Sequence, residues 1–271
     1  MTLKSISMSG LSARTARRAA IALLTLISVA ACGTEEAPGP LSPSGALGRV
    51  RFVNLITDPS RNPVNAVLEN LPFGVNLGYG GTTPSSLPAP ATASYSSILV
   101  GPRTLVLKRT ADTTVTVATI NLTVAENEDR TVYAVGGTGG AAVSSLTTVD
   151  ANPVPTSAQA MLRIVNMTSG AVDVFVTASG ADLSLATPAV TNLAARTGSA
   201  YLTLPPGTYQ IRFVPAGTAP ASRAGAVSLT VMTGAPAVPT LALGGGAART
   251  VVAAPSTTGG TPLRSFVLTD R

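Results

Sequence analysis

Few residues in this 271-residue chain could carry chemistry. There is one cysteine, Cys32, and no histidine. Without an imidazole neither a Ser-His-Asp nor a Cys-His nucleophile can be assembled, and nearly all zinc sites are excluded as well. The sequence contains no Gly-x-Ser-x-Gly elbow. Its glycine clusters lack the Gly-Lys-Ser/Thr of a phosphate loop and read as turns. Paired carboxylates remain the one route to catalysis, as in a glycosidase, where one carboxyl protonates the leaving oxygen and the other acts as base or nucleophile. The candidates are Asp58, Glu69, Asp112, Glu126, Glu128, Asp129, Asp150, Asp173, Asp182 and Asp270. Nothing in their spacing sets two of them across a cleft, and aromatics at 4% offer few rings for a sugar to stack on. Glu126-Asn127-Glu128-Asp129 is the one acidic cluster. Its oxygens are of the kind that hold Ca²⁺; the plainer reading is a solvated hairpin turn ahead of a strand at Arg130. No catalytic residue, cofactor or metal ligand is therefore assigned, and the chain is expected not to be an enzyme.

Cys32 points to a different chemistry. Lys4, Arg14, Arg17 and Arg18 precede an apolar run from Ala19 to Ala31. Thirteen residues are too few for a membrane-spanning helix, which needs about 20, and residues 1–31 read as an export signal. The run ends in Val29-Ala30-Ala31-Cys32-Gly33. This resembles the bacterial lipobox, in which small residues precede a cysteine that is lipidated and becomes the N-terminus; Val29 stands where leucine is usual. Ordinary cleavage with an incidental thiol is the alternative. A diacylglyceryl anchor on Cys32 accounts for why a lone cysteine sits at that place. Arg17-Arg18 hints at twin-arginine export, but its flanks fit that signal poorly. Gly33 in place of Asp resembles the pattern that sends such proteins to the outer membrane.

The positioning elements follow. Residues 33–45, with three prolines and three glycines, read as a flexible tether. Beyond them the chain is rich in Ala, Val and Leu, with 47 Gly and Pro. That suits many short strands joined by tight turns and not long helices. From Cys32 onward there are 14 basic and 12 acidic residues. The arginines are scattered, so nucleic acid is not expected as a partner.

Two strand-rich segments of similar length emerge, 48–150 and 160–271, joined by 151–159 with Pro153 and Pro155. The first opens on Val50-Arg51-Phe52-Val53-Asn54 and the second on Leu162-Arg163-Ile164-Val165-Asn166. Further matches follow in order. Tyr95 lies six residues before Gly101, as Tyr201 does before Gly207. Arg130-Thr131-Val132-Tyr133 answers Arg249-Thr250-Val251-Val252, and Asp150 and Asp270 each close a last strand. Ordered matches with loops of differing length favour duplication. Each segment offers seven or eight strands, arguing a β-sandwich of the immunoglobulin-like or transthyretin-like kind. Strands are expected at 49–56, 64–69, 93–99, 103–109, 114–124, 130–135 and 144–149, then at 161–166, 172–177, 199–204, 208–214, 226–231, 240–243, 249–253 and 264–268. Leu204-Pro205-Pro206-Gly207-Thr208-Tyr209 reads as a corner between sheets, with the tyrosine over the bend. Asn54 and Asn166 are expected to end their strands in a structural role, through left-handed φ or a bond to local backbone. The uncharged stretch 224–248 is long enough to span a bilayer. Its prolines and glycines make it strand, loop, strand instead. With so short a linker between the segments, limited contact between them is expected.

The Val-Arg-Phe-Val-Asn opening, the Pro-Val-Asn-Ala-Val or Ala-Val-Asp-Val-Phe strand, and the later Tyr-x-x-x-Pro-Pro-Gly-Thr-Tyr block resemble the bacterial domain of unknown function 4397. The second segment fits better; the first has Val100-Gly101-Pro102-Arg103 and a longer loop at 82–91. The resemblance implies exported β domains, often in tandem behind a lipoprotein signal, and no activity. Anchor, tether and repeat together suggest a non-enzymatic envelope protein, held by N-terminal acyl chains at the membrane. It would display two sandwiches to a partner protein, a glycan or neighbouring cells. The alternative is a periplasmic carrier or accessory with a small apolar ligand or glycan held between its sheets.

Overall fold

The computed structural model describes residues 45–84, 95–231, 239–256 and 263–270. Cys32, the signal segment and the tether up to Ser44 lie outside these residues. The described residues from Gly45 onward form one compact unit.

Its first half runs through β1 (Leu47–Ile56), β2 (Val64–Leu68), β3 (Leu71–Leu77), β4 (Ser96–Leu99), β5 (Gly101–Arg109), β6 (Asp112–Val124), β7 (Asp129–Gly136) and β8 (Val143–Asp150). The second half runs through β9 (Ala160–Asn166), β10 (Val172–Thr177), β11 (Val190–Leu193), β12 (Thr197–Gly198), β13 (Leu202–Leu204), β14 (Gly207–Pro215), β15 (Leu229–Val231), β16 (Leu241–Leu243), β17 (Ala248–Ala254) and β18 (Arg264–Thr269). The fold is all-β, as expected. Three strands, β3, β11 and the two-residue β12, fall outside the expected positions. Leu71-Pro72-Phe73-Gly74 reads as a turn yet opens β3, and β11 is only four residues long.

Each half packs two sheets face to face. In the first they are β4-β1-β7-β8 and β3-β2-β5-β6. In the second they are β9-β17-β18, with β12 and β13 both pairing β9, and β11-β10-β14, with β15 and β16 both pairing β14. The strand order is the same in both. β1 runs parallel to β7, as β9 does to β17, and all other pairs are antiparallel. A parallel pair requires a crossover; here the second sheet of each sandwich supplies it.

Apolar side chains fill the space between the sheets. In the first half Val50, Phe52 and Val132 meet Val64, Leu105, Leu107 and Leu122. In the second Leu162, Ile164 and Val251 meet Val174, Ile211, Phe213 and Leu243. The corner expected at 204–209 carries the chain from β13 in one sheet to β14 in the other. There Tyr209 Oη donates to the Pro205 carbonyl at 2.7 Å. The first half makes this turn differently. Arg103, in the position of Tyr209, donates through Nε to Leu99 O at 3.0 Å and through Nη2 to Val100 O at 2.8 Å.

Limited contact between the halves is not what the structure shows. The outer face of the β1/β7 sheet is apolar too. Val53, Leu55, Tyr133 and Val135 pack there against Val165, Met167, Val252, Ala254 and Leu268 of the β9/β17 sheet. Four sheets are thus stacked, and the two inner ones are buried on both faces. Such strands read as nearly continuous apolar runs, and Phe52-Val53 and Leu55-Ile56 place large apolar groups on both faces of β1. The linker is strapped down as well. Asn152 is buried, and Gly246 N donates to the carbonyls of Thr156 and Gln159 at 3.1 and 2.8 Å. A Cβ at Gly245 would sit 2.0 Å from the Ser157 carbonyl oxygen, so only glycine fits there.

Candidate functional site at the junction of the halves

The polar residues at this junction are the ones that recur in the sequence. Arg51 and Arg163 lie mid-strand in β1 and β9, with guanidinium groups facing the opposite half and side chains 3% and 5% exposed. Arg51 Nε accepts no proton and donates to Thr131 Oγ1 at 3.1 Å on neighbouring β7. Its Nη1 donates to Thr269 O at 3.0 Å and its Nη2 to Asp270 Oδ1 at 2.9 Å, both across the junction. Arg163 mirrors every contact. Nε reaches Thr250 Oγ1 at 3.1 Å, Nη1 reaches Val149 O at 3.3 Å, and Nη2 lies 2.6 Å from Asp150 Oδ1. That last approach is an ion pair off the angle of a good hydrogen bond. Each half thus neutralises the other's arginine.

Two tyrosines close the cluster. The Tyr95 ring lies over Arg51, 4.5 Å from the guanidinium carbon to the ring centre, and Tyr201 covers Arg163 at 5.3 Å. Tyr95 Oη donates to Asp150 Oδ2 and Tyr201 Oη to Asp270 Oδ2, each at 2.9 Å. Thr131 and Thr250 donate to the same carboxylates. Asn152, from the linker, serves both tyrosines through Oδ1, at 3.3 and 3.2 Å. Burial pushes the phenols of Tyr95 and Tyr201 well above their ordinary range, since an extra anion here would be desolvated beside two carboxylates. Burial opposes the charge on Arg163, but Asp150 and the neighbouring phenols outweigh it and hold its pKa above the usual value. Tyr133 breaks the symmetry, standing where the second half has Val252. It is fully buried, its pKa is raised to about 12 by burial, and its hydroxyl has no hydrogen-bond partner among the described residues.

A DUF4397 domain is found at residues 48–177. The family is described as a domain of unknown function, and the matched segment runs from β1 through β10. No curated protein matches the chain. Among solved structures, a leucine-rich repeat protein from Bacteroides thetaiotaomicron VPI-5482 is 14% identical, with a TM-score of 0.17 over 76% of this chain and 26% of that one. The chain spans about a quarter of that protein's length, and a likeness of this degree carries no argument about fold or function.

The DUF4397 segment contains most of the carboxylates considered from sequence. Asp150 comes together with Asp270 around Arg51, whose Nη2 is 3.8 Å from the former and 2.9 Å from the latter. Both carboxylates are buried and accept from hydroxyls and guanidinium groups. In the acidic cluster, Asp129 is paired bidentately with Arg49 at 2.6 Å, and Glu128 pairs with Arg130 at 2.6 Å. Among the described residues no group of three or more His, Cys, Asp or Glu is placed to share a metal ion. Asp58, Asp112 and Asp182 each accept from a hydroxyl and a backbone N–H two residues on; for Asp182 the backbone donor is Ser184 N, at 2.8 Å.

Asn54 and Asn166 are structural, by a route other than left-handed φ, which neither adopts. Both are fully buried. Asn54 Nδ2 donates to Leu77 O at 2.9 Å and Gly78 O at 3.1 Å, while Oδ1 accepts from Ile56 N. Asn166 Nδ2 donates to Gly170 O at 2.8 Å and to Leu193 O and Ala194 O at 3.0 and 3.2 Å, while Oδ1 accepts from Thr168 N. In each half the side chain ties an inner-sheet strand to the loops beside it. β1 continues two residues past Asn54, to Ile56. The uncharged stretch at 224–248 contains β15 and β16, and no helix among the described residues is long and apolar enough to cross a membrane.

Proposed function

We propose that this is a non-enzymatic, lipid-anchored protein of the bacterial cell envelope. In this reading two DUF4397-like copies are joined into one display body and held on a tether, acylated at Cys32, in the outer membrane. The observation that carries it is the reciprocal exchange of buried charge. Arg51, Arg163, Asp150 and Asp270 are committed to joining the two halves, which suits a stiff module for presenting surface. Acyl chains stabilise anchoring by about 0.8 kcal/mol per buried CH₂, so a diacylglyceryl group with an added chain retains a soluble body. The outward strands would then meet a partner protein, a glycan or a neighbouring cell.

Membrane fractionation of the native protein and of Cys32→Ala tests the anchor. The native chain is expected in the membrane pellet and the variant in the soluble fraction; equal retention of both overturns the placement. Chemical crosslinking on intact cells tests the display role, and capture of no envelope component would count against it.

A further inference from the structure

We infer that two copies of this chain exchange halves, the first half of each closing on the second half of the other about a hinge at Asn152–Val154. Trading an identical element is a low-cost route to a dimer. The junction is built so that it transfers whole. No sheet is shared between the halves. Among the described residues no backbone hydrogen bond joins one half to the other. The contacts are made by side chains, those of Arg51 and Arg163 onto Thr269 O and Val149 O and those of the two apolar faces. Each can be made with the matching half of a second copy in the same geometry.

Charge and shape select that occupant. On the β1/β7 sheet Arg51 needs Asp270 at 2.9 Å, and Asp150 needs Arg163 at 2.6 Å. The second half carries both groups around Val165, Met167, Val252 and Ala254, and the second half of another copy carries them in the same places. The first half of another copy fits less well. Tyr133 stands there where the second half has Val252, which puts a ring in place of a small side chain on a close-packed face.

The linker supplies the drive to exchange. Its two ends are bound to different halves. Asn152 is buried and donates through Nδ2 to Asp129 of the first half. Pro155 is buried, and the carbonyls of Thr156 and Gln159 accept from Gly246 N of the second half. Between these lie Pro153 and Val154, the latter 73% exposed. In the closed chain Asn152 is held at φ +40 directly before Pro153. A positive φ crowds the Cβ of any residue but glycine, and the residue before a proline prefers an extended backbone. Short hinges under strain invite exchange. With Asn152 extended, the chain carries its second half away from its first and onto another copy.

The full chain carrying Cys32→Ala has no thiol to link it and tests this without relying on the anchor. A short flexible linker closes its own chain at an effective concentration of about 1 mM, so at ~100 µM exchange without strain stays a minor outcome. Refolded from urea at about 100 µM, the chain is expected to sediment mainly at twice the chain mass. Pro153→Ala, which lifts the extended bias from residue 152, is expected to lower the dimer yield at least about tenfold. Pairing two variants reads the exchange directly. Arg51→Met with Asp150→Leu empties the first half of junction charges, and Arg163→Met with Asp270→Leu empties the second. Alone, each variant keeps an arginine and an aspartate without their partners and is expected to melt below wild type. Refolded together, they are expected to form a mixed dimer with one junction as in wild type and one apolar, melting roughly 6 °C or more above either alone. A wild-type chain that stays single, a dimer yield unmoved by Pro153→Ala, or a mixture that melts as its two components do separately would each overturn the proposal.

Discussion

Removing one carboxylate from the junction should cost far more than a surface ion pair would. In Asp270→Ala, Arg51 loses its acceptor at 2.9 Å, and the hydroxyls of Thr250 and Tyr201 lose theirs at 2.6 and 2.9 Å. The arginine stays 3% exposed, with no route to water. Breaking a buried pair from one side costs about 3–5 kcal/mol. Asp150, 3.8 Å from the same Nη2, offsets part of this, which puts the expected loss near the lower bound, about 3 kcal/mol. For a domain of this size that is a fall in melting temperature of roughly 6–12 °C. The double variant Arg51→Met with Asp270→Leu removes both charges and fills the space with apolar groups, so it should recover most of the loss, since such replacements are often neutral or better. Urea unfolding of the wild type, Arg51→Met, Asp270→Leu and the double variant, followed by circular dichroism, gives all four corners of the cycle. A loss below about 1 kcal/mol in Asp270→Ala, the range of an exposed pair, would refute the claim that this charge is buried and committed, as would a double variant as unstable as the sum of the singles.

Other outcomes follow from the same structure. Asn166→Ala strips three carbonyls of their donor and should cost about 2–4 kcal/mol by chemical unfolding; a cost under 1 kcal/mol would contradict the tie between strand and loops. Tyr133→Phe removes a buried hydroxyl without a partner and should be neutral or stabilising by up to about 1 kcal/mol, whereas a clear loss would mean that an internal water satisfies that oxygen. Tyr79 and Tyr133 are held near pKa 12, chiefly by burial, against about 10 in the unfolded chain. The folded state therefore binds these protons more tightly: stability is fully present below pH 10 and is lost as pH rises toward 12. A urea midpoint that stayed flat from pH 9 to 11.5 would disprove this. Limited proteolysis should spare Asn152, which is buried; early cleavage at that residue would argue for a loose junction.

Much of the architecture is legible in the sequence because period-two patterning and turn residues mark short strands plainly. β2, β10 and β17 fall within a residue or two of where the pattern puts them. β3 is hidden because Pro72 and Gly74 look like punctuation, and it survives as an edge strand where a missing donor is tolerated. The junction was half visible. Arg51 and Arg163, Tyr95 and Tyr201, Thr131 and Thr250, and Asp150 and Asp270 recur in order in the two halves, and these eight form the charged cluster, whereas the equally repeated Arg130 and Arg249 lie outside it. Adjacent apolar pairs such as Phe52-Val53 and Ile164-Val165 also carry the trace of strands buried on both faces. What the linear pattern does not contain is that each arginine's nearest carboxylate belongs to the other half. That choice is made by the stacking of two sheets, over a separation of 219 residues for Arg51 and Asp270.

Because the charges are traded, the two halves share a fate in heredity. A change at Asp270 is felt at Arg51, and one at Asp150 is felt at Arg163, so neither half is free to drift while the other holds still. A gene fragment ending at the linker would encode a half whose Arg51 has lost its nearer carboxylate and keeps only Asp150, 3.8 Å away, on an otherwise oily face. A half made on its own would need either to replace that arginine or to find a twin for it.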